Sequence, residues 1–393
     1  MTASLVAGFE WLVLFGIICR IKDQFQFEGI SMFYYLSELL IPYWGPFRLL
    51  ESHLLLLSLG AFIAVVTALI VLPKLWKYLP SDHGKAILGK DGMKSAGKPT
   101  GAGLVVTLVS LPVIFLFAPL GLWDSLVVLA LYLAMLFGYL DDRAAVPWGE
   151  LKKGLLDAVV SLAIAAFLFM GHCKDGAMEV WLPFCKVLWS VPWWIYIPSA
   201  AFLLWFTMNA TNCSDGVDGL AGSLTLITLV MLALILYVVI GHRPVAEYLL
   251  VPFNQAGAAW SIVVMVVAGA FGGYLWFNAE PSKILMGDAG SRFLGILVAT
   301  AVLVAGNPFL ILALSPVVLV NGGGGLAKLV LLRLAKKVGM DIGEDATIRK
   351  IRFPLHDHCK KNLGWSNAQV LMRFVILQLF VMPILLILFF KIR

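Results

Sequence analysis

Acidic and amide side chains recur beside glycine at several points of the chain, each where an apolar stretch begins or ends. They are Asp141-Asp142, the group Asn212, Asp215 and Asp218, the side chain Asn278, and the pair Gly287-Asp288. Adjacent carboxylates repel each other unless a cation or a proton neutralises one of them. Mg²⁺ would do so, because it takes oxygen ligands and bridges to substrate phosphates. A solvated helix end or an N-terminal cap would explain any one of these groups alone.

The spacing of these residues favours a phosphate site. Asn212, Asp215 and Asp218 are three residues apart and would share one face of a helix. The segment 287–291 precedes an apolar stretch, and the backbone N–H groups at the start of a helix favour phosphate. We therefore expect Asp288 to hold a metal ion that bridges to phosphate, with helix capping by Asp288 or Ser291 as the alternative.

Other polar and glycine-rich motifs are less specific. His356 and His358 would suit metal binding, phosphate contact or a plain surface loop. The run Asn321–Gly325 is not a P-loop because no Gly-Lys-Ser/Thr follows, so its glycines indicate close helix packing or a bend. The five cysteines form no Cys-x-x-Cys pair, which argues against a thiolate metal site. Cys173 and Cys185 share one loop and are either a disulfide or two thiols.

The composition defines the class of protein that must position these residues. Of 393 residues, 61% are hydrophobic and only 13% are charged, and the mean hydropathy is +0.93. These values exclude a soluble globular domain and a disordered chain. Strand alternation typical of a membrane barrel is absent, so we expect an all-α polytopic membrane protein. Ten stretches are candidate spans: 52–73, 102–120, 124–140, 154–171, 190–208, 219–241, 257–277, 292–306, 308–330 and 368–390.

The net charge of +6 indicates topology rather than nucleic-acid binding. Lys and Arg concentrate in loops that follow odd-numbered spans, whereas the loops after even-numbered spans contain only Lys174, Lys186 and Arg243. This places the basic loops in the cytoplasm and both termini outside. All the polar clusters fall on the cytoplasmic side. A transporter would place its ionisable residues near the membrane midplane, so their position at one boundary favours an interfacial phosphoryl-transfer enzyme over an ion-coupled transporter.

Five strings together resemble the polyprenyl-phosphate N-acetylhexosamine-1-phosphate transferase superfamily: GKPTGAG, FGYLDD, NATNCSDGVDGLAG, FNAEPSKILMGDAGSRFLG and FPLHDHCKKNLGW. The similarity runs from residue 32 to the end, and is greatest to the branch that uses UDP-MurNAc-pentapeptide. The resemblance implies ten spans in the bacterial inner membrane and an Mg²⁺-dependent site facing the cytoplasm. It also implies transfer of phospho-MurNAc-pentapeptide to undecaprenyl phosphate, which gives lipid I and UMP, and it is compatible with a homodimer.

The resemblance also assigns residues. Asp288 matches the Mg²⁺ ligand, and Asp141 and Asp142 match the catalytic pair, in which Asp141 would orient or deprotonate the lipid phosphate. His356 and His358 match two of three histidines placed near the phosphates. The remaining positions would contact substrate: Lys98, Thr100, Asn212, Asp215, Asp218, Asn278 and Gly287.

Three departures from the family pattern leave open a relative that uses another UDP-N-acetylhexosamine. Asp357 replaces the middle histidine, Leu285 replaces an aromatic residue before Met286, and PTGAG replaces PTMGG. Residues 1–31 match nothing in the family, so we expect an N-terminal extension followed by a single domain over 32–393.

Overall fold

The computed structural model describes residues 31–82, 96–144, 146, 148–338 and 350–391, so the N-terminal extension lies outside the description except for Ser31. The described chain is mainly helical. Its α-helices are α1 (Met32–Leu40), α2 (His53–Leu75), α3 (Ala102–Phe117), α4 (Leu122–Asp142), α5 (Glu150–His172), α6 (Trp193–Ser214), α7 (Leu220–Leu234), α8 (Arg243–Tyr248), α9 (Ala256–Asn278), α10 (Gly287–Val304), α11 (Leu310–Leu314), α12 (Pro316–Val318), α13 (Gly324–Lys337), α14 (Leu355–Leu363) and α15 (Asn367–Lys391).

The helices confirm the expected all-α membrane architecture. Eight described helical segments are long and apolar enough to cross a membrane: His53–Tyr78, Leu122–Asp142, Glu150–His172, Leu220–Ile240, Ala256–Asn278, Gly287–Val304, Pro316–Lys337 and Asn367–Phe390. Two further predicted spans correspond to α3, which is apolar but has 16 residues, and to α6, which has 22 residues. The tryptophans, proline and asparagines of α6 lower its hydropathy.

A small hairpin interrupts the helical pattern between α5 and α6. Strands β1 (Ala177–Val180) and β2 (Trp189–Pro192) pair antiparallel, with Ala177 opposite Pro192 and Val180 opposite Trp189. Cys173 precedes this hairpin and Cys185 lies in the loop between its strands, and no disulfide joins the two.

The predicted span 308–330 is wrong as a single helix, because the helix breaks at Pro316. Proline has no N–H and cannot continue the hydrogen-bond ladder of α11. The membrane-length helix therefore begins at Pro316 and runs to Lys337 through a π-helical turn at Leu319–Gly323. The carbonyl of Leu314 at the break accepts hydrogen bonds from Thr228 Oγ1 (2.9 Å) and from Gln378 Nε2. Such partners are required where no water can replace them.

The helix that corresponds to the predicted span 292–306 begins five residues earlier than predicted, at Gly287. The segment 287–291, which we expected to precede the helix, is therefore its first turn. This helix, α10, is the centre of the bundle: 89% of it is buried, and it packs against α3, α4, α6 and α7. Glycine allows this crowding. A Cβ atom on Gly103 would lie 2.1 Å from the backbone nitrogen of Gly290, so the backbones of α3 and α10 are in direct contact.

The glycine run Asn321–Gly325 also serves close packing, as predicted. A Cβ atom on Gly322 would lie 1.9 Å from the carbonyl oxygen of Ala210 in α6. The π-helical turn of the ninth span therefore rests on the backbone of α6, the helix that ends at the Asn212 motif.

Candidate active site

The C-terminus of α4 meets the N-terminus of α10 through the side chain of Asp142. Its Oδ1 accepts the backbone N–H of Asp288 at 3.0 Å and its Oδ2 accepts that of Ala289 at 3.1 Å. A helix start has four N–H groups with no intrahelical acceptor, and this carboxylate satisfies two of them. Gly287 has a φ of +69°, and a Cβ there would lie 2.2 Å from Asp142 Oδ2. Asp142 is therefore the cap of α10, and the alternative of capping by Asp288 or Ser291 is wrong.

Asp141 faces a different partner from its neighbour. Its Oδ2 lies 2.5 Å from Lys153 Nζ, and the same ammonium group lies 3.5 Å from Asp288 Oδ2. Lys153 thus bridges the carboxylate that ends α4 and the carboxylate that begins α10. Attraction to a shared cation offsets the repulsion between Asp141 and Asp288.

A second cation approaches Asp288 from within the bundle. Arg292 Nη2 lies 3.3 Å from Asp288 Oδ2, and Arg292 Nη1 lies 2.6 Å from Asp157 Oδ1 of α5. Arg292 is 5% exposed and Asp157 is 1% exposed. Sequence reasoning missed Lys153, Asp157 and Arg292, although ionisable residues within apolar spans are a functional signal in themselves.

Asn212 joins this group from the last turn of α6, where its Nδ2 donates to Ser291 Oγ at 3.1 Å. Asp215 and Asp218 follow in the loop after α6, and both act electrostatically on the buried phenol of Tyr274. The predicted shared helical face of Asn212, Asp215 and Asp218 is wrong, because α6 ends at Ser214 and only Asn212 is helical.

A second cluster ties this loop to the segment before α10. Lys98 Nζ donates to Ser282 Oγ at 2.9 Å and lies 3.5 Å from Asp218 Oδ2, which also accepts the Ser282 N–H. Asn278 is 2% exposed. Its Oδ1 accepts the N–H of Gly219, and its Nδ2 donates to the carbonyl of Ile284, both at 2.8 Å. The structure therefore shows Asn278 joining two loops.

Thr100 lies in the segment that leads into α3 and is 7% exposed. This segment pairs with the residues before α10: the N–H of Leu285 donates to the carbonyl of Pro99, and the N–H of Gly103 donates to that of Met286. The GKPTGAG and MGDAGS strings, which lie far apart in sequence, are thus held side by side.

The two histidines of α14 have different surroundings. His356 Nδ1 lies 3.1 Å from Asn321 Oδ1, so this ring nitrogen donates and Nε2 is left as an acceptor. A Cβ on Gly216 would lie 2.2 Å from that Nε2, which places His356 against the loop of Asp215 and Asp218. Burial lowers the pKa of His356 to about 4. His358 Nδ1 instead accepts the N–H of Arg352 at 3.3 Å, within its own segment.

The carboxylates suit a metal ion that the substrate helps to hold. No cluster of three or more His, Cys, Asp or Glu side chains that could hold a metal occurs among the described residues. Mg²⁺ is usually bound by one or two carboxylates plus substrate phosphates and water. Asp288 is 27% exposed at its side chain, and its Oδ2 is the atom that both cations approach. The donor chemistry at Asp288 and Asp141 therefore fits such a site.

Comparison with known proteins gives one family and close relatives. Residues 125–306 match the family described as glycosyl transferase family 4. Two proteins named phospho-N-acetylmuramoyl-pentapeptide-transferase, from two strains of Treponema pallidum (one of them strain Nichols), are each 42% identical to this chain over 354 residues. Each alignment covers 90% of this chain and 94% of the relative.

Proposed function

Because this chain belongs to the phospho-N-acetylmuramoyl-pentapeptide-transferase family, we propose that it transfers phospho-MurNAc-pentapeptide from UDP-MurNAc-pentapeptide to undecaprenyl phosphate. The products are lipid I and UMP, and the chain acts as a phospho-sugar transferase in peptidoglycan biosynthesis. One observation carries the proposal: Asp141, Asp142 and Asp288 meet Lys153 and Arg292 where α4 ends and α10 begins. The transporter alternative has no support from the family.

The reaction needs one phosphate to attack another. An oxygen of the lipid phosphate bonds to the phosphorus that carries MurNAc, the bond from that phosphorus to the UMP oxygen breaks, and UMP leaves with the electron pair. Both reactants are anionic, so positioning and charge neutralisation supply most of the rate. A bound Mg²⁺ would supply neutralisation of the diphosphate.

Each side chain has a distinct task in this proposal. Asp288 is the carboxylate best placed to bind Mg²⁺. Asp141, which accepts the Trp148 N–H at 2.7 Å through Oδ1, would be a second oxygen ligand or would orient the lipid phosphate. Lys153, 2.5 Å from Asp141, would hold that carboxylate in place and attract the incoming phosphate. Asp142 has both oxygens engaged with the backbone of α10 and keeps Asp288 in position.

The nucleotide would occupy the neighbouring loops. Lys98, Thr100, Asn212, Asp215, Asp218 and Gly287 are the proposed substrate contacts, with His356 and His358 near the phosphates. Asn278, predicted from the sequence as a further contact, is buried and bonded at both ends of its amide, so we propose that it holds the loops around the nucleotide. The close contact of His356 with Gly216 supports an indirect role for this histidine, in which it fixes the loop of Asp215 and Asp218. The basic loops support a cytoplasmic position of the site in the inner membrane.

We propose that the polyprenyl chain lies in an apolar groove lined by α5 and α6. The groove has a volume of about 370 Å³ and is walled by α5 and α6, including Leu155, Ala158 and Phe202. The same two helices supply Lys153 and Asn212 to the site, so a chain in the groove would end near the carboxylates. Ala158→Trp should raise the KM for undecaprenyl phosphate and leave that for the UDP substrate unchanged. Val159→Trp, one residue along on an exposed position, is the matched control.

The main test measures UMP release by purified protein in detergent with Mg²⁺ and undecaprenyl phosphate. We expect Asp288→Asn and Asp141→Asn each to reduce turnover by about a thousandfold or more, because each removes a charge from the reacting centre. Asp175→Asn, in the loop before β1, should keep full activity. Wild-type turnover in either site variant would contradict the assignment. Release with UDP-GlcNAc but not with UDP-MurNAc-pentapeptide would favour the relative with another sugar.

A further inference from the structure

Four charged side chains on α5 and α10 alternate in sign along the line where these helices face each other. Lys153 and Asp157 are four residues apart on α5, and Asp288 and Arg292 are four residues apart on α10, so each pair shares one helix face. Lys153 contacts Asp288 at 3.5 Å, Arg292 contacts Asp288 at 3.3 Å, and Arg292 contacts Asp157 at 2.6 Å. We call these four residues the charge quartet.

The inner half of the charge quartet is buried in the bundle. Asp157 is 1% exposed and Arg292 is 5% exposed. Burying an ion pair costs more solvation free energy than its attraction usually returns, so an apolar pair would serve stability at least as well. The pair is also supported from outside the quartet, since Asn209 Nδ2 donates to Asp157 Oδ2 at 3.4 Å. Stability alone therefore does not account for Asp157 and Arg292.

The geometry points to a positioning role for this pair, an inference that rests on the proposed function of Asp288: Asp157 anchors Arg292, and Arg292 fixes the carboxylate of Asp288. The planar guanidinium has one arm on each carboxylate, so it holds Asp288 Oδ2 at a set distance from α5. The carboxylate of Asp288 would then be held in place for a divalent cation and the diphosphate. The charge quartet is neutral, and the neighbouring Asp141 adds negative charge that a divalent cation would help to balance.

Single substitutions would leave an unpaired buried charge and risk misfolding. The decisive variant is therefore Asp157→Leu/Arg292→Met, which replaces both members by apolar side chains of similar size. We expect it to fold, with a thermal unfolding midpoint and a gel-filtration profile close to wild type. Asp288 keeps Lys153 but loses the arginine that fixes it.

Two measurements separate positioning from a structural role. The first is the Kd for Mn²⁺ in substrate-free detergent solution, measured from the electron paramagnetic resonance signal of the free ion. We expect the double variant to bind Mn²⁺ about threefold more tightly or better, because a cation 3.3 Å from Asp288 Oδ2 is gone. The second is steady-state kinetics, in which kcat should fall about tenfold or more while both KM values stay within about twofold.

A folded double variant whose Mn²⁺ Kd is unchanged or higher, or whose kcat matches wild type, would overturn the inference. If the double variant does not fold, Arg292→Lys provides the test, since lysine keeps the charge but reaches only one carboxylate. We expect at least about threefold lower kcat with unchanged KM, and a wild-type kcat would overturn the inference. Failure of the proposed function would look different: Asp288→Asn would bind Mn²⁺ as the wild type does.

Discussion

Replacing Asp142 by alanine should loosen the joint between α4 and α10. The carboxylate accepts two backbone N–H groups, from Asp288 at 3.0 Å and from Ala289 at 3.1 Å. A hydrogen bond to a charged group contributes about 1.5–3 kcal/mol, and the loss of an N-cap costs about 0.5–2 kcal/mol. The two bonds share one side chain and are not additive. Relief of repulsion from Asp141 and Asp288 offsets part of the loss. We expect a net loss of about 2–3 kcal/mol in the free energy of unfolding.

The assay is denaturation of the purified protein by increasing fractions of SDS in mild detergent, with unfolding monitored by circular dichroism. Asp142→Asn keeps one acceptor oxygen and should lose about half as much stability as Asp142→Ala. Glu247→Ala is the matched control, because it removes an exposed carboxylate from α8 at a helical position that alanine tolerates. If Asp142→Ala unfolds at the same SDS fraction as Glu247→Ala, Asp142 does not cap α10 and the reasoning is refuted.

Two further predictions concern packing and pH. Gly322→Ala should destabilise the fold by about 3 kcal/mol or prevent folding, since its Cβ would lie 1.9 Å from Ala210 O. Gly272→Ala has open space and should be neutral or stabilising by up to about 1 kcal/mol; equal thermal midpoints for the two variants would contradict this. His356 has a pKa of about 4 in the fold against about 6.5 when unfolded. The unfolded state therefore binds the proton first, so stability is full above pH 6.5 and falls by up to about 3 kcal/mol as the pH drops to 4. The free energy of unfolding, measured between pH 4 and pH 6.5, should depend less steeply on pH in His356→Gln than in the wild type. An equal pH dependence would exclude His356 as the cause.

The sequence predicts the helices well because hydropathy is a local property. A run such as 52–73 is apolar whatever surrounds it, and α2 follows it closely. The errors arise where backbone chemistry acts against hydropathy. Pro316 breaks an apolar run that looks continuous, and the polar residues at 287–291 form a helical turn because Asp142, from another helix, caps it.

The site was predictable only in part for the same reason. Asp141, Asp142 and Asp288 stand in recognisable strings, and the fold brings them together. Arg292 and Asp157 belong to no local motif that signals their partnership, since they lie 135 residues apart and meet only in the folded bundle. Asn278 is in a recognisable string, yet the oxygen and the nitrogen of its side-chain amide are both hydrogen-bonded within the protein.

The cap that Asp142 places on α10 has a consequence for the entropy of catalysis. The first turn of a helix normally frays, because its N–H groups lack acceptors. Here the turn that carries Asp288 is held by a neighbouring helix end and by glycine contacts with the backbone of α3. The conformational freedom of the reacting centre is therefore lost when the chain folds. Little of that cost remains when the two anionic substrates arrive, so their binding energy is left for bringing the two phosphates together.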